Sequence, residues 1–238
     1  RDPRVNFYFI AGAVGKGVPA FDVRKGYKVT LAAENFGKPA RFLEMDDKGT
    51  LYVSQPNSGK IIALKDKDGD GVFETRSDFV TKYKTVHSLH WFDGWLYATS
   101  SEDGSCKRAR DTNDDGVADQ VEDVLPAGSV PSGGGHPYRG ICVTDQYIYI
   151  SVSDPSNMLD ELPSERKSVF RFNRDGSGKM QFATGIRNTE KLRLRPGTDE
   201  LWGVDHGSDN FGKTYGESKD NQPITDLRAA QCHHRRRN

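Results

Sequence analysis

The sequence repeats one pattern four times: a short apolar run, a polar turn, and a second run that carries an aromatic residue. The aromatic residues Tyr52, Tyr97, Tyr149 and Trp202 mark the four copies and stand 45, 52 and 53 residues apart. Short alternating runs joined by turns that contain Asp or Gly are typical of β-hairpins. A repeat of about 40 to 50 residues built from such strands is typical of a β-propeller blade. The pattern therefore predicts an all-β chain with about four blades.

The candidate blades occupy the middle of the chain and leave a segment at each end. Apolar runs at residues 60–64 and 168–172 follow the first and third hairpins and are predicted to be outer strands. The fourth copy is unfinished where the sequence ends, and no amphipathic helix longer than two turns is visible. We therefore divide the chain into a lead-in (1–25), a partial propeller (26–226) and a tail (227–238). The tail contains Cys-His-His and three arginines, but nothing nearby fixes ligand geometry, so we expect it to be disordered or out of register.

The balance of charge limits the classes of partner. The chain has 34 basic and 34 acidic side chains, so it carries no net field that would draw it to nucleic acid or to an anionic membrane. No apolar run approaches the roughly 20 residues of a membrane-spanning helix. The apolar stretch 6–14 follows Arg-Asp-Pro-Arg and is interpreted as mid-chain sequence rather than a signal peptide. Cys106, Cys142 and Cys232 form no CxxC motif, which argues against a zinc ribbon or an attached haem.

The loop before the third blade concentrates the residues with the most chemistry. Residues 133–135 are glycines, so the backbone there can come close to a flat or bulky group. His136 follows at once, and an imidazole can take or give a proton near neutral pH. Arg139 comes three residues later, just before the apolar run 141–143. The alternative is a flexible hairpin loop with a surface histidine.

Two acidic loops have the spacing of calcium-binding loops. The second, from Asp111 to Glu122, matches D-x-[DN]-x-[DN]-G-x₅-E, in which alternate residues aim oxygen ligands inward and the glycine permits a sharp turn. The first, from Asp66, has the first half of the pattern but carries Ser77 at its twelfth place. Predicted strands flank both loops, so they are not EF-hands, and plain solvated turns are the alternative to structural Ca²⁺. The candidate ligands are Asp66, Asp68, Asp70 and Glu74 in the first loop and Asp111, Asn113, Asp115, Asp119 and Glu122 in the second.

Two further polar segments flank the fourth blade. Arg187 and Asn188 stand at its entrance; an arginine fork suits carboxylates, and an asparagine both donates and accepts hydrogen bonds. Residues 205–209 (DHGSD) follow its last strand and contain either metal ligands or turn formers. In a propeller, loops of this kind from neighbouring blades meet at one end of the central channel. This convergence makes His136 a candidate general base.

Four motifs together resemble one enzyme family. They are SGGGHPYR (132–139), FNRDGSG (172–178), FATGIRN (182–188) and DHGSD (205–209). In this order they resemble the glucose/sorbosone dehydrogenases, six-bladed β-propellers that use pyrroloquinoline quinone (PQQ) with Ca²⁺. The resemblance runs from about Gly26 to about Asp226, and the acidic loops look like those of the sorbosone dehydrogenase branch.

The resemblance implies a role for individual residues. His136 matches the family's base, which takes the hydroxyl proton of a sugar or aldehyde hydrate while hydride moves to the quinone. Arg187 and Asn188 match an Arg-Asn pair that contacts PQQ, and Arg139 is predicted as a further cofactor contact. Gly207 and Ser208 match the step whose backbone carbonyls hold the cofactor's Ca²⁺. The resemblance also implies an external electron acceptor, such as a cytochrome, and a periplasmic or secreted location.

The sequence departs from the family in places that bear on these roles. Thr189, Glu190 and Lys191 stand where the family usually has a proline and then a small residue, and Ser208 stands where it has a proline. Further cofactor-binding Lys and Arg residues come from later blades, which we expect to be missing here. After Asp226 the sequence leaves the family pattern, as a truncation or a frameshift would make it do. The fragment is therefore expected to hold PQQ weakly or to be inactive alone.

Three functions follow from these observations. The first is the N-terminal part of a PQQ-dependent sugar or aldehyde dehydrogenase. The second is a Ca²⁺-stabilised propeller that acts as a binding or scaffold module without catalysis. The third is a metal-dependent, lactonase-like propeller hydrolase, which needs carboxylate and asparagine ligands along the channel. No clear set of such ligands is visible in the sequence, so this hypothesis ranks last.

Overall fold

The computed structural model describes residues 29–156 and 165–207. Within these ranges the chain forms fourteen β-strands and one short 3₁₀ helix, Pro56–Ser58. The predicted lead-in (1–25) and tail (227–238) lie outside the described residues, so the domain boundaries stay predictions. None of the described residues belongs to a helix that is long and apolar enough to span a membrane. The all-β prediction is confirmed.

The strands form three four-stranded antiparallel sheets and one two-stranded sheet. The first sheet contains β1 (Leu43–Met45), β2 (Leu51–Gln55), β3 (Lys60–Lys65) and β4 (Thr75–Val80). The second contains β5 (Val86–Phe92), β6 (Trp95–Ser100), β7 (Cys106–Arg110) and β8 (Gln120–Leu125). The third contains β9 (Ile141–Val143), β10 (Tyr147–Val152), β11 (Ser168–Asn173) and β12 (Met180–Thr184). The fourth, within the described residues, contains β13 (Leu192–Leu194) and β14 (Leu201–Gly203).

The four predicted repeats are the hairpins that begin these sheets. The tightest is the turn between β5 and β6, where Phe92 pairs with Trp95 across two residues. Those residues, Asp93 and Gly94, have φ values of 52° and 74°. Two successive positive φ angles define the type I′ turn, whose twist matches that of paired strands and which favours an Asp-Gly sequence. Local turn chemistry therefore sets the register of this hairpin.

The sheets are arranged as propeller blades. Each of the three larger sheets is a meander, so its first and last strands lie at opposite edges. The first strands pack on one another from sheet to sheet, with β5 against β1 and β9, and β9 against β13. The first strands therefore line the centre, and the fourth strands lie at the outside. Three complete blades and the inner hairpin of a fourth are described.

The core lies between neighbouring sheets because side chains alternate along each strand. On β6, Leu96 and Ala98 pack with the side chains between the first and second sheets. Tyr97, between them in sequence, packs on the other face with Ile141 and Phe170 of the third sheet. Burying an aliphatic or aromatic side chain of this kind stabilises a fold by about 1.5–3 kcal/mol. Apolar burial thus holds each blade to the next.

The meander order sorts the loops between two ends of the molecule. Inner strands run from one end to the other, second strands return, and third strands repeat the direction of the first. Segments that precede a first strand or follow a second strand consequently share one end, here called the mouth. Hairpin turns and the loops between third and fourth strands share the opposite end, here called the turn end. His136 and Arg187 are at the mouth, whereas both acidic loops are at the turn end.

Candidate functional site

The glycines before His136 allow two backbone segments to touch at the mouth. The N–H of Gly135 donates to the carbonyl of Pro155 at 2.6 Å. A Cβ on Gly135 would lie 2.7 Å from that carbonyl oxygen, and a Cβ on Gly134 would lie 2.9 Å from the Arg166 guanidinium. Real Cβ atoms do not approach so closely. The glycines therefore bring the loop against the segment that follows β10.

This contact fixes the imidazole of His136. Its Nδ1 lies 2.9 Å from the backbone carbonyl oxygen of Asp154. A carbonyl can only accept, so Nδ1 carries a proton, and in the neutral ring Nε2 presents a lone pair. Nε2 makes no hydrogen bond to any residue of 29–156 or 165–207. The contact thus orients the half-buried ring so that Nε2 is the nitrogen that can accept.

Asp154 joins the histidine to the entrance of the fourth blade. Its N–H donates to the carbonyl of Arg187 at 2.7 Å. Its carboxylate is buried, accepts the N–H of Ser156 at 2.8 Å and lies 3.4 Å from the ammonium of Lys167. The backbone of residue 154 therefore connects two predicted site residues that are far apart in sequence.

Arg187 and Asn188 are mostly buried, with 8% and 5% of their surfaces exposed. Nη1 of Arg187 donates to the carbonyls of His206 at 3.1 Å and Gly207 at 2.8 Å. The Asn188 side-chain oxygen accepts from the hydroxyl of Ser153 at 2.9 Å. The structure therefore brings together His136, Arg187, Asn188 and Gly207 around the strand ends at the mouth. Ser208 lies outside the described residues.

Arg139 occupies a different position from these residues. Its side chain is fully buried beneath the loop, and its guanidinium donates to the carbonyls of Pro131 at 2.6 Å and His136 at 3.3 Å. These contacts are with the loop's own backbone.

A polar cluster that the sequence reading did not anticipate lies beside the site. The ring of buried His87 stacks on Tyr138 with centroids 4.0 Å apart. Arg41 donates from Nε to His87 Nε2 at 3.3 Å and forms an ion pair with Glu190 at 2.9 Å. Burial, followed by the positive charge of Arg41, lowers the pKa of His87 from 6.5 to about 3. His87 is therefore neutral at physiological pH. A polar residue at an inner position of β5 was its only sequence signal.

A second set of ion pairs joins the first and fourth sheets directly. Glu44 of β1 pairs with Lys191 at 2.9 Å and, more closely, with Arg193. Arg193 also contacts Nδ1 of His90 at 2.9 Å. Burial lowers the pKa of Lys191, against the opposing effect of Glu44. Glu190 and Lys191, two of the residues that depart from the family pattern, therefore connect the fourth blade to the first.

The first acidic loop at the turn end has a geometry that fits Ca²⁺. One oxygen from each of Asp66, Asp68, Asp70 and Glu74 lies within 4.8 Å of the others. Ligands placed 2.3–2.6 Å from a common ion stand at most about 5 Å apart, so the four can share one ion. Hydrogen bonds from backbone N–H groups, chiefly that of Gly71, hold the pKa of Asp66 below its ordinary value.

The second acidic loop repeats the backbone hydrogen bonds of the first. Asp111 accepts backbone N–H groups of Asp114 and Gly116, each at 2.7 Å, as Asp66 accepts those of Gly69 and Gly71. Asp119, at the ninth place, accepts the N–H of Thr112 at 2.8 Å, as Glu74 accepts that of Lys67.

The remaining second-loop candidates differ in where their side chains point. Asn113 and Asp115 contact each other at 3.2 Å within the loop. Glu122, at the twelfth place, lies on β8 and pairs with Arg108 at 2.6 Å. Both loops have an acidic residue at the ninth place, Glu74 in the first and Asp119 in the second, and this shared position relates the two loops in the sequence.

Solved structures with this fold include proteins that use PQQ. An enzyme of carbohydrate-active enzyme family AA12 from Trichoderma reesei aligns with a TM-score of 0.64 at 15% identity, over 79% of this chain and 50% of that one. The holo PQQ domain of pyranose dehydrogenase from Coprinopsis cinerea aligns with a TM-score of 0.59 at 14% identity, over 72% of this chain and 44% of that one. The PQQ-bound aldose sugar dehydrogenase from Streptomyces coelicolor aligns with a TM-score of 0.52 at 19% identity, over 80% of this chain and 66% of that one.

These likenesses define the class of fold. The chain is a β-propeller of the kind found in PQQ-dependent sugar dehydrogenases, as its motifs predict, and it spans about half the length of the first structures it matches. No sequence match to a curated protein is significant. The chain belongs to the family described as Domain of unknown function (DUF7133), which it matches over residues 15–236.

Proposed function

We propose that the chain forms the part of a PQQ-dependent dehydrogenase that carries the general base, and that the enzyme oxidises a sugar or an aldehyde. The observation that carries the proposal is the His136 imidazole, whose Nδ1 is held 2.9 Å from the Asp154 carbonyl, so that Nε2 is the nitrogen that can accept. The PQQ-bound and holo structures that share the fold support the class of enzyme proposed.

The proposed chemistry divides between the histidine and the cofactor. Oxidation of a hydroxyl-bearing carbon removes a proton from oxygen and a hydride from carbon. His136 Nε2 takes the proton, and the loss of proton and hydride together leaves a carbonyl product. PQQ, when bound, supplies the acceptor for the hydride. The Asp154 carbonyl keeps Nδ1 protonated and stabilises the imidazolium that forms, so the base stays oriented through the step.

Arg187 and Asn188 are proposed to hold one side of the cofactor. PQQ carries three carboxylates, and a guanidinium suits such groups because its donors form a planar fork. The contacts of Arg187 with the carbonyls of His206 and Gly207 fix the guanidinium at the mouth. Through the resemblance, the carbonyls of Gly207 and Ser208 are the proposed ligands of the cofactor's Ca²⁺.

The acidic loops are proposed to bind separate, structural Ca²⁺ ions. Their position at the turn end keeps them away from His136, so their ions would stabilise blades rather than take part in oxidation. Because the chain spans about half of the structures it matches, the remaining cofactor contacts are proposed to come from further blades. An external electron acceptor and a location outside the cytoplasm complete the proposal.

Calorimetric titration of PQQ into the purified, Ca²⁺-loaded chain tests this function. Arg187→Ala should weaken binding roughly 10- to 100-fold, since a hydrogen bond to a charged group contributes about 1.5–3 kcal/mol. Arg195→Ala is the matched control, because that arginine is exposed and pairs with Glu200 at the turn end. The control should bind as the unchanged chain does.

A second titration uses the longest product of the same gene. Binding by that product alone would mean that the site is completed by further blades. Absence of PQQ binding in both this chain and the longer product would contradict the dehydrogenase proposal. The four acidic oxygens within 4.8 Å of one another would then favour the second candidate, a Ca²⁺-stabilised propeller that binds a partner without catalysis.

A further inference from the structure

The loop that ends at His136 is held from beneath by the buried arginine at position 139. Nη2 of Arg139 donates to the carbonyl of Pro131 at 2.6 Å, and Nη1 donates to the carbonyl of His136 at 3.3 Å. The side chain thus joins the first and last residues of the loop 131–136. Because one bond goes to the histidine's own carbonyl, the fork constrains the backbone from which the imidazole projects.

A second arginine holds the same loop from the solvent side. Arg166 donates from Nη1 to the carbonyl of Gly133 at 3.0 Å and from Nη2 to that of Ser132 at 2.5 Å. Two guanidinium forks therefore bond four of the six carbonyl groups of residues 131–136. Glycines give a loop conformational freedom, and the forks remove that freedom at the step before His136.

The charge of Arg139 shows that this contact is not incidental packing. Its side chain is 0% exposed, and no carboxylate of the described residues lies within ion-pair distance of it. Its Nε has no hydrogen-bond partner in that part of the chain. Burial and, after it, the nearby Arg166 lower the pKa of Arg139 to about 10. A buried, unpaired cation is unfavourable, and both hydrogen bonds that offset this go to the histidine loop.

We propose that Arg139 and Arg166 are positioning residues that fix the loop 131–136 so that His136 Nδ1 meets the Asp154 carbonyl and Nε2 faces the substrate. The proposal rests on the proposed function of His136 as general base. It gives Arg139 a role other than the cofactor contact predicted from the sequence. The two roles differ in what a substitution changes: a positioning residue alters the state of His136, and a cofactor contact alters affinity for PQQ.

The test is the tautomer of His136, measured in the cofactor-free chain by nitrogen-15 NMR of the histidine rings. The chain has 6 histidines, and the signals of His136 are assigned by their loss in His136→Gln. The unchanged chain should show the Nδ1–H form. Arg139→Lys keeps the charge but loses the fork, and should move His136 to the tautomer mixture of a free imidazole. Arg174→Lys, an arginine that pairs with Asp93 at the turn end, should change nothing.

Arg166→Gln provides a second route, because its side chain is only partly buried and belongs to none of the apolar core clusters of the described residues. It should shift the His136 tautomer in the same direction, even if Arg139→Lys fails to fold. Retention of the pure Nδ1–H form in Arg166→Gln and in a folded Arg139→Lys would overturn the inference.

PQQ titration separates this inference from the proposed function. Where the unchanged chain binds PQQ, Arg139→Lys should keep its Kd within about twofold; a 10- to 100-fold loss with an unchanged tautomer would restore the cofactor-contact role. Absence of PQQ binding in both the unchanged chain and the longest product of the same gene would count against the function alone, because the tautomer shift needs no cofactor. In any preparation that oxidises sugar, Arg139→Lys should have a kcat about 10²-fold below that of the unchanged chain and nearly the same KM. This pattern is expected when a reacting group is misplaced.

Discussion

Replacing Glu44 with glutamine should loosen the contact between the first and fourth blades. The carboxylate has 11% of its side chain exposed and pairs with Lys191 and Arg193, whose side chains are 31% and 38% exposed. It also accepts the backbone N–H of Trp91 at 3.2 Å. Glutamine has the same shape and can still accept that N–H, so the substitution removes the charge and little else.

The size of the effect follows from the exposure of the three partners. Breaking a fully buried ion pair costs about 3–5 kcal/mol, whereas an exposed pair contributes about 0.2–1 kcal/mol. Here the acid is mostly buried and both cations are about one-third exposed, so we expect a loss of about 2 kcal/mol, between these two limits. For a domain of this size that corresponds to about 4–8 °C in melting temperature.

Equilibrium unfolding in urea measures this loss, with Glu200→Gln as the matched control. Glu200 pairs with Arg195, and both side chains are more than half exposed, so the control should change stability by less than about 0.5 kcal/mol. A double-mutant cycle with Lys191→Met should give a coupling energy of about 1 kcal/mol. If Glu44→Gln were no more destabilising than Glu200→Gln, the ion pairs between the first and fourth blades would not stabilise the fold.

Two further predictions concern calcium and pH. Ca²⁺ at about 100 times its Kd should raise the melting temperature by about 5–10 °C; Asp66→Asn should reduce this rise, and Asp199→Asn, at an exposed turn, should not. The pKa of His87 is lowered from 6.5 to about 3 by burial and by Arg41, so the unfolded chain takes up a proton that the folded chain does not. Stability should therefore fall as pH falls through this window, by about 2 kcal/mol at pH 5 from this group. Urea midpoints at pH 7 and 5 should differ less in His87→Gln; an equal difference would contradict the buried, neutral imidazole.

The blades were predictable because their determinants are local. The turn at Asp93 and Gly94 needs two residues that tolerate positive φ, and the alternation of β6 divides Leu96 from Tyr97 by its period of two. Each of these structural features is determined by residues that are close together in the sequence. The hairpins therefore appear in the structure where the sequence pattern places them.

The ion pairs of Glu44 could not be predicted in this way. Glu44 and Lys191 are 147 positions apart, and neither lies in a motif. Only the packing of first strands around a centre brings them together. The same holds for Arg139: its sequence position beside His136 suggests a group that faces the site, whereas its burial depends on the carbonyls available beneath the loop.

The orientation of His136 depends on a partner that the sequence cannot display at all. Every residue has a backbone carbonyl, so the acceptor at Asp154 would be present with any side chain at that position. This carbonyl becomes the acceptor because the two segments approach each other closely. The approach requires glycine at 134 and 135, since a Cβ at either position would lie within 3.0 Å of Pro155 or Arg166. The glycines therefore act on the chemistry through the backbone: they allow the contact that decides which nitrogen of the histidine can accept a proton.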